Sequence, residues 1–426
     1  MKPKTKKWLT AIASVVIGLS VLIGGGYFYL VNKLTKALTG CELRSTNFTQ
    51  TLQFDYVSKW IVVNVKIEGS DREYPFIFDT GAQTVVSDLL LSELNPKSFK
   101  VFSTFNDKDT TNAFYNRLIV LNGLSIGDVH FGSIGCVEMQ GEKWDMLNCI
   151  SAYGIIGYNI IKTCSFQIDY PSRAMTLTDK LTDLPNYSSI EWVNYRTEGQ
   201  ETPIISANIN DSINVELFFD TGMSGDISIN SPELYHKLSG FSQNEKVVKS
   251  QSIPNLYIRG ETENVYKSLT LKPDRLSFFS SNHTSEILVR VNDLPFRKFD
   301  GTIGNGYLEN YNITLDYRNK RVGYVPNNEI VETDLSTFGF SSFLRENRLF
   351  VGSVNEGSEA QNVGLCPGNE ILKYNDLIIA DLPANLYCKI YRKEFLLSSP
   401  ADSTVFLQVM GKDGFASVKL FRYTPF

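Results

Sequence analysis

Histidine is scarce: the 426 residues hold three, His130, His236 and His283, and each stands among neighbours that make no ligand spacing. Solvated or packed imidazoles account for them, and no metal is expected. The six cysteines include no C-x-x-C pair, which removes the usual zinc and dithiol redox motifs. Lys and Arg form no cluster outside the N-terminus, and the net charge of -5 offers no field to gather nucleic acid, so none is expected as a partner. Gly304-Asn305-Gly306 lacks the third glycine of a dinucleotide loop, Glu309 standing in its place, and no cofactor is expected.

Aromatic residues, by contrast, are plentiful. With 21 Tyr and 27 Phe in a chain that is 42% hydrophobic and 20% charged, the composition leans toward strands, and a mainly β fold is expected. The length suits two to four domains at roughly 100 to 200 residues each.

Residues 8–32 carry no charge, and as a helix they would span roughly 37 Å against a hydrocarbon core of about 30 Å. Lys2, Lys4, Lys6 and Lys7 precede them, so the positive-inside rule predicts a short cytoplasmic stretch (1–7), a single transmembrane helix (8–32) and everything later outside the cytoplasm. The alternative is cleavage, since Leu38-Thr39-Gly40-Cys41 resembles a bacterial lipoprotein processing site. Lys33 and Lys36 intervene before it, which favours an uncleaved anchor. Cys41, Cys136, Cys149, Cys164, Cys366 and Cys388 permit disulfides in an exported chain, but their spacing gives no connectivity, and buried thiols fit equally well.

Beyond a linker (33–48), residues 49–180 read as short alternating strands such as Ile61-Val62-Val63-Asn64-Val65-Lys66-Ile67, with Gly and Asn turns between them. Residues 181–202 lose that periodicity and read as a linker. Residues 203–328 then repeat the first unit. Phe76-Ile77-Phe78-Asp79-Thr80-Gly81-Ala82, Tyr153-Gly154-Ile155-Ile156-Gly157 and Phe166-Gln167-Ile168-Asp169-Tyr170 are echoed in order by Leu217-Phe218-Phe219-Asp220-Thr221-Gly222-Met223, Asp300-Gly301-Thr302-Ile303-Gly304 and Ile313-Thr314-Leu315-Asp316-Tyr317. The interval from Asp79 to Gly157 nearly equals that from Asp220 to Gly304. Two copies of one β-lobe are the economical explanation.

A carboxylate before Thr-Gly at the end of an apolar strand is fixed by the strand, and the glycine permits the tight turn that aims it into a cleft. Two such acids meeting about 3 Å apart would repel by roughly 5.5 kcal/mol at an effective dielectric near 20, about four pK units, and would share one proton. The ionised acid then activates water while the protonated one donates to a carbonyl, which is hydrolysis without metal or covalent intermediate.

These motifs resemble those of the pepsin and retropepsin superfamily of aspartic proteases, from about Thr49 to Val325. The resemblance implies catalytic roles for Asp79 and Asp220, a polypeptide substrate, and supporting roles for Thr80, Gly81, Thr221 and Gly222. It also places Ile156-Gly157 and Ile303-Gly304 behind the catalytic loops. Ala82 and Met223 depart from the Ser or Thr that pepsin-like enzymes carry after D-T-G, and the missing hydroxyl donors predict a less acidic pair. The covering flap would come from between Phe102 and Phe114, where no residue can be assigned.

Residues 329–426 change pattern. Ser358-Glu359-Ala360 through Gly364-Leu365-Cys366-Pro367-Gly368-Asn369-Glu370-Ile371-Leu372 resembles a PDZ domain, with Asn369 in place of the usual Asp. The resemblance implies capture of a peptide C-terminus at Phe338-Gly339-Phe340, and a packing module without ligand is the other reading. The expected whole is two homologous pepsin-like β-lobes, a C-terminal PDZ-like α/β domain and one N-terminal membrane helix, an endopeptidase of a bacterial envelope. Two rivals are a catalytically silent peptide receptor and a scaffold centred on the PDZ-like unit.

Overall fold

The computed structural model describes residue 35 and residues 39–104, 115–140, 145–198, 201–240, 247–253, 265–273, 275–277, 287–295, 298–327, 336–412 and 414–425. The chain is mainly β. Residues 8–32 and most of the flap region lie outside this set, and no helix among the described residues is long and apolar enough to cross a membrane.

One strand arrangement occurs twice. In the first half Trp60–Ile67 pairs antiparallel with Glu73–Phe78, which in turn runs parallel to Gly154–Ile156, Phe78 opposite Ile156. The chain leaves Phe78, turns through Asp79-Thr80-Gly81 and returns as Val85–Ser87 on the other side of Gly154–Ile156. In the second half Pro203–Ile209 pairs with Ile213–Phe219, which runs parallel to Gly301–Ile303, Phe219 opposite Ile303, with Ile227–Asn230 on the far side. The end of the first central strand is apolar because neither face meets water, Phe76, Ile77 and Phe78 all being fully buried, whereas Ile213–Phe219 alternates, with Asn214 exposed and Glu216 half-buried.

A six-stranded antiparallel sheet joins the halves. It takes Thr49–Gln53, Ser165–Asp169 and Ala174–Thr178 from the first and Tyr311–Asp316 and Arg321–Pro326 from the second, with Phe166 opposite Leu315 at the seam. Its remaining edge is Glu191–Asn194, inside the stretch that reads as a linker. That stretch is polar because most of its side chains are exposed or half-buried, and its lack of periodicity reflects short 3-10 turns at Leu181–Asp183 and Tyr187–Ser189. Glu42–Leu43, also in an expected linker, pairs with the strand Val129–Met139.

The C-terminal unit has its own core, built on Leu349, Val351, Ile371, Val405, Leu407 and Leu420. Strands Phe340–Arg345, Arg348–Asn355, Glu370–Tyr374, Thr404–Gly411 and Gly414–Phe421 form an antiparallel sheet, with the helix Ala384–Tyr391 beside it. The unit is held at two places. Val247–Ser252 of the second half pairs with Arg348–Asn355, so one sheet runs through both, and Cys149 of the helix Asp145–Ile150 is bonded to Cys388. The other four cysteines are free thiols.

Candidate active site

The parallel pairing in each half delivers its aspartate to the same place. The Asp79 N–H donates to Ile156 O at 3.0 Å, and the Asp220 N–H donates to Ile303 O at 3.0 Å, so each acid begins where its central strand stops. The apolar-apolar-Gly motif is explained by what lies across from it. A Cβ on Gly157 would collide with the backbone of Gln83 and Thr84, and one on Gly304 would stand 2.5 Å from both Gly225 O and Met223 O. Only glycine lets the two loops close this tightly.

The threonines lock the halves together. The Thr80 N–H donates to Thr221 Oγ1 and the Thr221 N–H to Thr80 Oγ1, both at 3.1 Å. In addition Thr80 Oγ1 donates to Phe219 O at 2.7 Å and Thr221 Oγ1 to Phe78 O at 3.0 Å. Both threonines are fully buried. Replacing either with Val leaves one N–H and one carbonyl unpaired there, an expected loss of about 1–3 kcal/mol each. Because the two hydroxyls serve one network, the double variant should lose less than the sum, as chemical denaturation would show; strict additivity would mean the network is not coupled.

Above the threonines the carboxyls of Asp79 and Asp220 face each other closely enough that each alters the other's protonation. Each Asp Oδ1 also accepts an N–H two residues on, from Gly81 at 2.7 Å and Gly222 at 2.8 Å. Both acids are half-buried, and the glycines make the approach possible: a Cβ on Gly81 would lie 2.7 Å from Asp220 Oδ1, and one on Gly222 would overlap the Asp79 carboxyl.

The two acids are not equivalent electrostatically. Loss of solvation pushes Asp79 well above the usual carboxyl range, and the neighbouring Asp220 adds to the shift, while N–H donors from Gly81 and Ala82 oppose it. Desolvation raises Asp220 as well, but the hydrogen bond from Asp79 and N–H donors from Gly222 and Met223 pull it back. Both carboxyls are raised, and the pair holds one proton between them. Ala82 and Met223 lack hydroxyls but still supply backbone donors, so burial is the first cause of the raised pKa values.

Several supporting residues carry no signature in the sequence. Trp60 Nε1 donates to Gly222 O at 2.8 Å, tying the first half to the second catalytic turn. Asn305 Nδ2 donates to Thr221 O and Lys59 O, both at 2.6 Å, and Asn305 Oδ1 accepts from Tyr170 at 2.8 Å. In the first half Asn159, one position further from its motif glycine, accepts the Thr84 hydroxyl at 2.6 Å. An Asn within two residues of each motif glycine is the one signal that could have marked them. Thr202 Oγ1 donates to Thr80 O at 2.7 Å.

The other expected site borders a cavity lined by Phe338 and Phe340 and also by Trp60 and Ser224. Phe338 is buried, Gly339 has a left-handed φ of 85°, and Phe340 opens the strand Phe340–Arg345. The Gly339 N–H donates to Thr337 Oγ1 at 3.1 Å, and Gly339 O accepts from the Asn355 N–H at 2.8 Å. Among the described residues no group of His, Cys, Asp and Glu could hold a metal ion.

No family model matches the chain, and no curated protein does. Among solved structures it is similar to basic 7S globulin from soybean, at 12% identity over 66% of this chain and 94% of that one, with a TM-score of 0.40. That likeness is too loose to carry an inference.

Proposed function

We propose that the chain is an aspartic endopeptidase, two pepsin-like lobes followed by a PDZ-like unit and tethered outside the cytoplasm by residues 8–32. The observation that carries the activity is the carboxyl pair: two half-buried acids brought together where two equivalent loops meet, both with pKa values raised by loss of solvation. Asp220, ionised, takes a proton from a water held between the acids. Asp79 gives its proton to the oxygen of the peptide carbonyl as that water attacks. The resulting gem-diol breaks down when the proton gained by Asp220 passes to the departing amine, and Asp79 recovers one from the diol. Binding and chemistry need only this chain's own groups and water. The tether rests on the charge-free length of 8–32 and the lysines before it.

Digestion of a peptide mixture by the purified chain, read by mass spectrometry across pH, tests the activity. Internal cleavage that persists with a chelator supports it, and no cleavage at any pH sinks it. The pH profile has an expected direction. Turnover needs one proton on the pair, so it fails on the alkaline side when Asp79 loses its proton and on the acid side when Asp220 gains one. Both acids are raised, hence both limbs move upward. An optimum toward neutrality is expected, and a peak in strong acid with little activity left by about pH 5 would contradict it.

A further inference from the structure

At one end of the sheet that joins the halves, where Ser165 pairs with Thr178 and Phe166 lies opposite Leu315, is a cavity of about 500 Å³. Three parts of the chain wall it. Lys162 and Thr178 come from the first half, Tyr195 and Glu201 from the segment between the halves, and residues 316–320 from the turn between the last two strands of the second. Among the described residues none from either catalytic turn lines it.

The wall has a surplus of donors. The rings of Tyr195 and Tyr317 line it, their centres 6.1 Å apart and edge to face, and both hydroxyl oxygens are buried with no hydrogen-bond partner among the described residues. Tyr195 as a whole is only 7% exposed. A buried hydroxyl without a partner gives up its solvation for nothing, so such groups are rare in folded chains, and two side by side imply a shared partner. Burial raises both above the usual phenol range, which keeps them as O–H groups able to donate. The charged groups lean the same way. Asp179 accepts the N–H groups of Asn47 and Phe48 at 2.7 and 3.1 Å, Asp316 is paired with Arg321 at 2.7 Å, and Glu201 with Lys162 at 3.1 Å. Arg318 and Lys320 are exposed and make no ion pair among the described residues. The acids of the wall are thus engaged, and the charges left over are positive.

We propose that this cavity binds a small anion of carboxylate or phosphate chemistry, fixed by the hydroxyls of Tyr195 and Tyr317 and drawn in by Arg318 and Lys320. The division of labour follows from exposure: salt screens the two cations, which steer, and spares the buried hydroxyls, which orient. A neutral ligand would leave the cations unused, and a cation would be repelled by them. Because the wall draws on both halves and on the segment between them, a bound anion ties all three together. Glu201 of that wall precedes Thr202, whose hydroxyl donates to Thr80 O at 2.7 Å beneath the dyad. The site needs neither catalytic acid and stands whether or not the chain is a protease.

The test is titration calorimetry of the full chain with citrate and, separately, with inorganic phosphate, at an ionic strength held constant with chloride. Saturable one-to-one binding of at least one anion is expected, with a melting temperature that rises as the site fills. Whichever binds more tightly tells carboxylate from phosphate. Tyr195→Phe combined with Tyr317→Phe keeps both rings, removes both oxygens and should weaken binding about tenfold. Arg318→Gln combined with Lys320→Gln changes only exposed turn residues and should weaken binding severalfold while flattening its salt dependence. Should the tyrosine variant fail to melt cooperatively, the second pair decides alone. Binding that the tyrosine pair leaves unaltered would be an adventitious ion only and overturns the proposal. Absence of saturable binding by either anion overturns it too, leaving water as the partner of the hydroxyls. None of these measurements uses hydrolysis, so failure here and failure of the protease reading are told apart.

Discussion

Asp79→Asn and Asp220→Asn should each lower peptide hydrolysis by about a thousandfold or more while leaving the chain folded. Asn keeps the shape and an Oδ1 acceptor for the Gly81 or Gly222 N–H, so the turns at 2.7 and 2.8 Å need not rearrange. What is lost differs between the two. Without Asp220 a single carboxyl is left: Asp79, relieved of the neighbouring charge that raises it, ionises more readily, and it cannot be base and acid in the same step. Without Asp79 the base survives, but nothing protonates the carbonyl oxygen as charge develops on it. A single variant retaining near wild-type turnover on a peptide mixture would mean the two acids do not work as a pair.

The same substitutions separate in stability, with a sign that follows from linkage. Asp79 binds its proton more tightly folded than unfolded, so the contribution it makes to stability is present in acid. It is lost as pH rises from the ordinary carboxyl range through the raised folded value. Asp79→Asn removes that dependence, and its melting temperature should exceed that of wild type above this range. A melting difference that does not change with pH would show that burial of the pair is not what raises Asp79.

What could be read from the residues was the chemistry that repeats. Asp79-Thr80-Gly81 and Asp220-Thr221-Gly222, and the glycines Gly157 and Gly304, are short-range requirements: a turn, a buried hydroxyl and a place where any Cβ collides. Such demands restrict residue type at single positions and leave a mark. Partners chosen by the meeting of distant surfaces leave none. Trp60 is one apolar residue in an apolar strand until the halves close and Gly222 O comes within reach. The Cys149–Cys388 bond spans 239 residues, and nothing in the spacing of six cysteines selects it. Glu191–Asn194 shows no alternation because none of its four side chains is fully buried, so neither face demands an apolar residue. Ala82 and Met223 were informative for side-chain donors only; their N–H groups, which every residue but proline has, take part regardless.

Cys388→Ser should destabilise the chain by about 5–6 kcal/mol, through the entropy of the unfolded state. A cross-link closing a loop of 239 residues restricts the unfolded ensemble far more than a short one, and the dependence on length is logarithmic. The folded state loses little, since Arg392 still donates to Cys149 O at 2.5 Å and Tyr391 still stacks on Trp60. Cys149→Ser should cost the same, and the double variant no more than either alone, because both remove one bond. The free thiols offer no substitute: Cys136 and Cys164 are buried, and burial holds both well above the usual thiol range. The C-terminal unit would remain joined to the second half by the pairing of Val247–Ser252 with Arg348–Asn355, while its hold on the first half would fall to side-chain contacts. The loss should therefore appear in two places: as a lower denaturation midpoint for the whole chain, and as faster proteolysis of the unit at the helix Ala384–Tyr391. Equal midpoints for wild type and Cys388→Ser under non-reducing conditions would show that the bond is not formed in solution or closes no loop that the unfolded chain would otherwise explore.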